Sequence, residues 1–541
     1  MVAHSFTPAP SPGVKVAVIM KPNPLSRRGF LLGLAAAGAP LRPQTSGSSL
    51  YDVRLYGATG DGAAMDTNAI QLAIGRCARS GGGTVLFPAG IYLSGTLVLE
   101  NNVSLQIEAG AVLRASRNLA DYPAHVPALR SYTDNYTDKS LIYAESVENV
   151  SILGQGTIDG QGGAFQGPYK VRPYMMRFVN CRNVAVHGVT IRDSPMWVQH
   201  YLACEEVAIS GIMVRSRVNV NNDGIDIDSC RGVRISDCDI WSGDDAIVLK
   251  ATIDRPCRDV VIANCVLSSA CNALKLGTES NGGFENVAIS NCTVSETRLA
   301  GLAVEMVDGG VLDRVSVSNL VMKGVGAPIF IRLGDRGRPF MEGGERPPAG
   351  RLRNVTISGV VADGAGPTGC AIAGLSSQEI ENVTLDNIRM SFAGGGTLSD
   401  ALRDVPEKAD AYPEFSMFGK LPAYGFYCRH VKNLRLRNVQ TVSGEPEERP
   451  ALAAEDVETM ELAGCTLDCA EQAESAVRLT GARDVFVHGC RNTRPLRVWM
   501  RVKGAGSRRI RLAGNDLAPA LKPVEASADV PPDAITVAAG G

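Results

Sequence analysis

EVAISGIMV at 206–214, GVRISDCDI at 232–240, DVVIANCVL at 259–267 and NVAISNCTV at 286–294 are one pattern written four times. Within each, apolar residues alternate, Val and Ile dominate, and Asn, Asp or Gly stands near the middle. That is the chemistry of short strands joined at a tight bend. The unit returns as NVAVHGVTI, RVSVSNLVM, NVTISGVVA, NVTLDNIRM, NLRLRNVQT and TMELAGCTL, with most spacings between about 23 and 28 residues. A strand pair this short cannot bury its own apolar face and must stack on a neighbour. Helical periods are nearly absent. The expected fold is all-β, a single-stranded right-handed parallel β-helix; a propeller would need about 40 residues per blade, and the spacing is too short for that.

The 14 cysteines follow the same rhythm. Cys238, Cys265 and Cys292 recur at intervals of 27, and Cys181, Cys204, Cys230 and Cys257 at 23 to 27. Stacked about 4.8 Å apart, they should form two inward ladders of small apolar side chains rather than disulfides or a metal site. DTNAIQLAIGRCA places Ile70, Ile74 and Cys77 on one helical face behind the capping candidates Asp66 and Thr67, and this N-terminal capping helix would plug the open end of the solenoid. Three segments break the period, at about 115–142, 323–353 and 391–430. Insertions of this kind become loops beside a groove, and their aromatics, including Tyr122, Tyr132 and Tyr136, either stack on ligand rings or cover a core edge.

Residues 50–520 are therefore read as the β-helix domain, and the Ala/Pro-rich 521–541 as a disordered tail. Residues 1–49 read as an address with a flexible start. Arg27 and Arg28 precede Phe30, Leu31 and an apolar run of about a dozen residues, too short for a bilayer and shaped like a twin-arginine export signal. Met20 would place that pair near a chain start. A periplasmic or secreted protein is expected, with no membrane association beyond export. The formal net charge of -2, with 20% charged residues, leaves no basic stripe for nucleic acid.

Stacking the coils aligns NNDGIDI, GDDAIVL, CNALKLG and LAGLAVE, so that Asp223, Asp245, Asn272 and Ala300 occupy successive rungs, with Asn222, Asp244, Cys271 and Leu299 beside them. Three carboxylates, Asp223, Asp244 and Asp245, then converge across two coils. Ionising all of them is costly, so one pKa should be pushed upward. A protonated carboxylic acid beside carboxylates that can pull on a water is the equipment of glycosidic-bond hydrolysis. Asx turns would be the structural use of such residues. A calcium site is a further use, and a lyase there would need a base such as Lys250 or Lys275.

NNDGID and SGDDAI resemble the NTDGID and GDDCI motifs of the polygalacturonase family, glycoside hydrolase family 28, and YGATGDGAAMDTNAIQLAIGRCARSGGGTVLFPAGIYLSG and GQGTIDGQG resemble its N-terminal region. The likeness runs over roughly residues 50–440. It implies a pectin-lyase-like right-handed β-helix, an inverting hydrolase of a polysaccharide or oligosaccharide, and neither metal nor cofactor. Carried over by position, Asp244 would be the general acid, while Asp223 and Asp245 would hold and activate the water.

Two departures alter the substrate expectation. Asn272 stands where the family has the histidine of its GHG motif, and Ala303 and Glu305 replace the two cations of its RIK motif, which grip a galacturonate carboxylate. Lys250, Lys275, Glu279, Glu305, Arg332 and Arg336 are the remaining candidates to contact the sugar, with Asn272 in the histidine's place. A neutral residue at the cleaved bond, or a uronate gripped through a loop arginine, is expected. The rival readings are a polysaccharide lyase on the same scaffold and a noncatalytic glycan-binding β-helix.

Overall fold

In the computed structural model, which describes residues 49–538, all the strand-to-strand pairings are parallel. One coil consists of β1 (Ile225–Asp228), β2 (Arg231–Ser236) and β3 (Asp239–Ser242), and the next of β4 (Ile247–Ala251), β5 (Cys257–Ala263) and β6 (Val266–Ser269). β1 pairs with β4, β2 with β5 and β3 with β6, so each coil contributes one strand to each of three sheets. The following coils are β7 (Leu274–Ser280), β8 (Phe284–Met306) and β9 (Val311–Leu333). The last two run through the corners without interruption and pair along most of their length. The right-handed parallel β-helix expected from the repeat is the observed fold.

Alternation explains the interior. Ile225, Ile247, Leu274, Leu302 and Ile329 form one fully buried column in register, each contributing roughly 1.5–3 kcal/mol by leaving water. The cysteines build two further columns, Cys181–Cys204–Cys230–Cys257 and Cys238–Cys265–Cys292. All 14 are free thiols, and only Cys271 is not fully buried. At the corners, Asn and Asp residues adopt left-handed backbone and hydrogen-bond to their counterparts one coil away. One ladder runs Asp237, Asn264, Asn291, Asn319, and another links Asn354, Asn382 and Asn433. These side chains tolerate positive φ and satisfy their own amides by stacking.

Helix α1 (Thr67–Arg79) buries Ile70, Ile74 and Cys77 against the first strands. The expected cap by Asp66 is corrected. Its carboxylate instead accepts from the Thr59 and Gly60 N–H groups, and the Thr67 hydroxyl accepts from Gly95 N–H, because the incoming loop offers donors closer than the helix's own first turn. The disordered tail expected over 521–541 is also corrected for its described part. Ala520–Ala526 pairs with Leu496–Lys503, and Ile535–Val537 with Arg508–Ala513, since an open solenoid edge is a template for further strands. The twin-arginine segment lies outside the described residues. The three interruptions hold no long strands: 116–139 contains short turns, 334–350 is irregular, and 393–425 carries only the helix α2 (Leu398–Leu402).

Candidate active site

Two residues before the buried column, at the corner leading into β1, β4, β7 and the second half of β8, the aligned polar row appears in the expected register. Gly224 N–H donates to Asp245 O at 2.9 Å, Ala246 N–H to Asn272 O at 2.9 Å and Ala273 N–H to Ala300 O at 3.0 Å. Asp244 N–H reaches Asn222 O at 3.3 Å, and Leu299 N–H reaches Cys271 O at 2.9 Å. One oxygen from each of Asp223, Asp244 and Asp245 lies within 4.8 Å of the other two.

The turn is fastened from below. Buried Asn222 donates to Ser194 O and Met196 O at 2.8 and 3.0 Å and accepts from Asn219 N–H. The hydroxyls of Ser242 and Ser269 both donate to Asp244 O at 2.6 Å. Gly224 is required because a Cβ there would meet Ala246 O at 2.5 Å. Asp223 and Asp245 are each only 3% exposed, whereas Asp244 is half-buried. Asp244 Oδ1 accepts from Asp245 N–H at 2.9 Å.

Charge is balanced by lysines from neighbouring rungs. Lys275 Nζ lies 3.1 Å from Asp245 and 3.6 Å from Glu305. Lys250 Nζ lies 3.3 Å from Glu279, 3.5 Å from Asp226 and 4.0 Å from Asp223, over the Trp197 ring. Burial, then the charges of Asp244 and Asp226, hold Asp223 well above the ordinary aspartate range. Burial and the Asp245 charge raise Asp244, with Lys275 opposing. Burial raises Asp226 too, against Lys250. The shifts of Asp223, Asp244 and Asp226 all run upward, so these neighbouring carboxylates take up a proton more readily than isolated ones. Burial works against Lys250 and Lys275, yet the surrounding carboxylates hold both ammonium groups charged well beyond the usual range. Despite its burial, Glu279 is kept ionised by Lys250 and Arg338. Three carboxylates could receive a cation, but these ammonium groups already supply positive charge to the row.

The structure redistributes the expected sugar contacts. Asn272 is 1% exposed and spends its amide inside the protein: Nδ2 donates to Asp245 Oδ1 at 2.8 Å, and Oδ1 accepts from Ala300 N–H at 3.0 Å. The expected substrate contact is corrected to a contact with a carboxylate. Arg332 is corrected as well. Buried over the Phe418 ring, its guanidinium donates to the carbonyls of Ala373, Gly374, Glu407 and Lys408, so it ties a loop to the sheet. Lys250, Lys275, Glu279 and Glu305 form a buried floor under the row. Arg336 pairs with Asp308, and Arg338 with Glu279.

Other residues at the site escaped sequence reasoning. Asp226 sits in the quoted motif and points outward, as the alternation Ile225, Asp226, Ile227 requires, yet it had no assigned role. Tyr169 lies close enough to Asp223 and Asp244 to feel their charges. Tyr412 and Glu414 come from the insertion at 391–430, with Tyr412 accepting a hydrogen bond from Thr278 at 3.0 Å. No local pattern marks such loop residues. Of the aromatics singled out, Tyr122 is buried in the core, while Tyr132 lies under Arg338.

A family model described as Glycosyl hydrolases family 28 matches residues 77–410 of the chain. A probable polygalacturonase of Vitis vinifera is 36% identical over 225 residues, covering 38% of this chain and 45% of the grape protein. An endo-polygalacturonase of Pectobacterium carotovorum is 26% identical over 288 residues, covering 49% and 71%. Among solved structures, an exopolygalacturonase of Thermotoga maritima superposes with a TM-score of 0.58 at 21% identity, covering 76% of this chain and 93% of that one. The match thus spans less than half the length of the grape relative, and the structural likeness speaks to the fold.

Proposed function

This chain belongs to glycosyl hydrolase family 28, and from that premise we propose that it hydrolyses glycosidic bonds in a pectin-type or related polysaccharide by aspartate acid–base chemistry. The observation that carries the reading is the convergence of Asp223, Asp244 and Asp245 within 4.8 Å on two adjoining rungs, with Asp244 the one of the three that is not fully buried. Asp244 is the general acid, because a proton donor must touch the leaving oxygen and because burial and the Asp245 charge raise its own pKa. Asp223 and Asp245 hold and activate the water, and Asn272 and Lys275 orient Asp245.

The resemblance implies inversion. Inverting pairs usually stand about 6.5–9.5 Å apart and retaining pairs about 5–5.5 Å, so at this separation inversion requires a water held by Asp223 and Asp245 together, beside the acid rather than between two facing carboxylates. The anomer of the first-formed product, read by NMR, decides it. A lyase would need an unprotonated base, yet Lys250 and Lys275 are held charged by their carboxylate neighbours.

The test is release of reducing ends from a polysaccharide panel, with and without chelator, by wild type and Asp244→Asn. Hydrolysis that survives chelation and falls by a factor of about 100 to 10,000 in the variant supports the reading. Asp244→Asn should be partly rescued on substrates with very good leaving groups, and Asp223→Asn and Asp245→Asn should not. An ultraviolet-absorbing unsaturated product would favour a lyase, and an unaffected variant a noncatalytic role. Export by the twin-arginine route belongs to the same proposal; replacing Arg27 and Arg28 by Lys should leave the precursor in the cytoplasm, and normal export would refute it.

A further inference from the structure

Ala303 and Glu305 stand where two cations were expected, and the tertiary structure shows what occupies the vacated space. Ala300 and Ala303 follow Asn272 and Lys275 on the next rung. Their small side chains pack in one cluster with Phe418 and Leu421, and Phe415 and Met417 lie against that cluster. All four of those residues come from the insertion between Phe392 and Phe426. Phe415 presses so closely on the β9 backbone that a Cβ on Gly326 would meet its ring at 2.9 Å. A long basic side chain at 303 would collide with this docked segment.

The segment carries Tyr412 and Glu414 to the row. The Tyr412 ring is 52% exposed, with Lys275 Nζ at 5.7 Å and the Arg336 guanidinium at 5.5 Å from its centre. Glu414 is within electrostatic reach of Lys275, Asp245, Asp244 and Arg298, and it also acts on Glu305. Glu414 Oε2 is buried without a hydrogen-bond partner, as is Glu305 Oε1. Glu305 is fully buried, whereas Glu414 is only partly so, and its unpaired oxygen is the one an arriving hydroxyl can satisfy.

Building on the hydrolase reading above, we propose that Glu414 is a specificity-determining residue, which accepts hydrogen bonds from the hydroxyls of a neutral sugar residue beside the catalytic row and turns away a uronate. The docked loop thus exchanges a cationic clamp for an anionic acceptor. Asp223, Asp226, Asp244, Asp245, Glu279, Glu305 and Glu414 outnumber Lys250, Lys275, Arg298, Arg336 and Arg338 around the row, so a further carboxylate adds to an existing excess of acids. Burial brings Glu414 up to about 7, with Asp245 and Asp244 adding to the rise and Lys275 opposing it. The discrimination should therefore strengthen as the pH rises through neutrality.

The experiment compares kcat/KM on rhamnogalacturonan and homogalacturonan oligosaccharides of equal length at pH 5.5 and 8.5, for wild type and Glu414→Gln. Taking the ratio of the two substrates cancels the titration of the catalytic acid. Wild type should prefer the rhamnose-containing probe, more strongly at the higher pH. Glu414→Gln should raise KM for that probe at least about tenfold at pH 8.5, the loss of a hydrogen bond to a charged group, and its substrate ratio should no longer change with pH. Should the Gln variant melt early, Glu414→Asp withdraws the oxygen by one methylene while keeping the charge, and predicts the raised KM with the pH dependence retained. A wild-type preference for homogalacturonan, or a ratio unchanged in both variants while Asp244→Asn is inactive, overturns this assignment and leaves the hydrolase reading standing. Release of reducing ends from neither probe overturns both.

Discussion

Asn272 shows how one side chain can keep a carboxylate in place without meeting substrate. Its amide fills one side of Asp245 and satisfies the buried Ala300 N–H on the other. In Asn272→Ala both contacts vanish, and the buried group left unpaired costs about 1–3 kcal/mol. Thermal melting should fall, and kcat should drop roughly tenfold or more with KM little changed, since Asp245 loses orientation rather than a sugar contact. An unchanged kcat would show that Lys275 and the backbone N–H of residue 272 suffice to hold Asp245. Glu305 offers a second residue-scale test. Burial and the Glu414 charge push its pKa up to about 8 against Lys275, from an ordinary 4.5. Between those values the folded protein binds more protons at this site than the unfolded chain, so stability contributed here is lost as pH rises from about 4.5 through 8. Glu305→Gln should melt like wild type near pH 5 and above it at pH 8.5; parallel melting curves at both pH values would contradict the shift.

At the scale of the element, the corner ladders are the regular feature that lets a strand turn without losing its stack. Asn291 adopts φ of 56°, donates to Asn264 at 3.4 Å and accepts from Asn319 at 3.1 Å. Asn291→Ala loses both the ladder contact and a side chain suited to left-handed backbone, and should destabilise by about 1–2 kcal/mol. Asn291→Gly keeps the backbone preference and should cost less. Denaturant titration of the two variants separates conformation from hydrogen bonding, and equal losses would assign the whole effect to the ladder. The docked loop at 393–425 is an element of another kind, held by Arg332 and by the cluster around Ala303 rather than by strand pairing.

Across the whole molecule, stability in a solenoid passes from neighbour to neighbour, and its ends need covering. Ala520–Ala526 and Ile535–Val537 close the last coil over Leu496–Lys503 and Arg508–Ala513, with Val530 and Ala534 buried beside them. Truncation after Pro519 would uncover a parallel edge carrying Met500, Val502 and Ile510. The truncated protein should melt lower and aggregate, while the soluble fraction keeps its specific activity, because the carboxylate row lies many rungs away. Full thermal stability without these strands would show that the preceding coil closes itself.

The repeat, its parallel stacking, the cysteine columns and the alignment of Asp223, Asp245, Asn272 and Ala300 could be read from the sequence alone, because strand alternation and coil length are local and recur at a near-constant interval. Register follows from period, so residues far apart in the chain can be placed on one row by counting. The closing of the C-terminal edge escaped that reading, since the composition of 521–541 suggests disorder and only an available strand edge supplies its partners. The fates of Arg332 and Asn272 were decided by the tertiary structure too: the type of a side chain says what it can bind, but not whether a neighbouring carbonyl or carboxylate already claims it. The same holds for Glu414, which an aperiodic insertion delivers to the row, and whose position depends on Phe415 and Phe418 finding space beside Ala300 and Ala303.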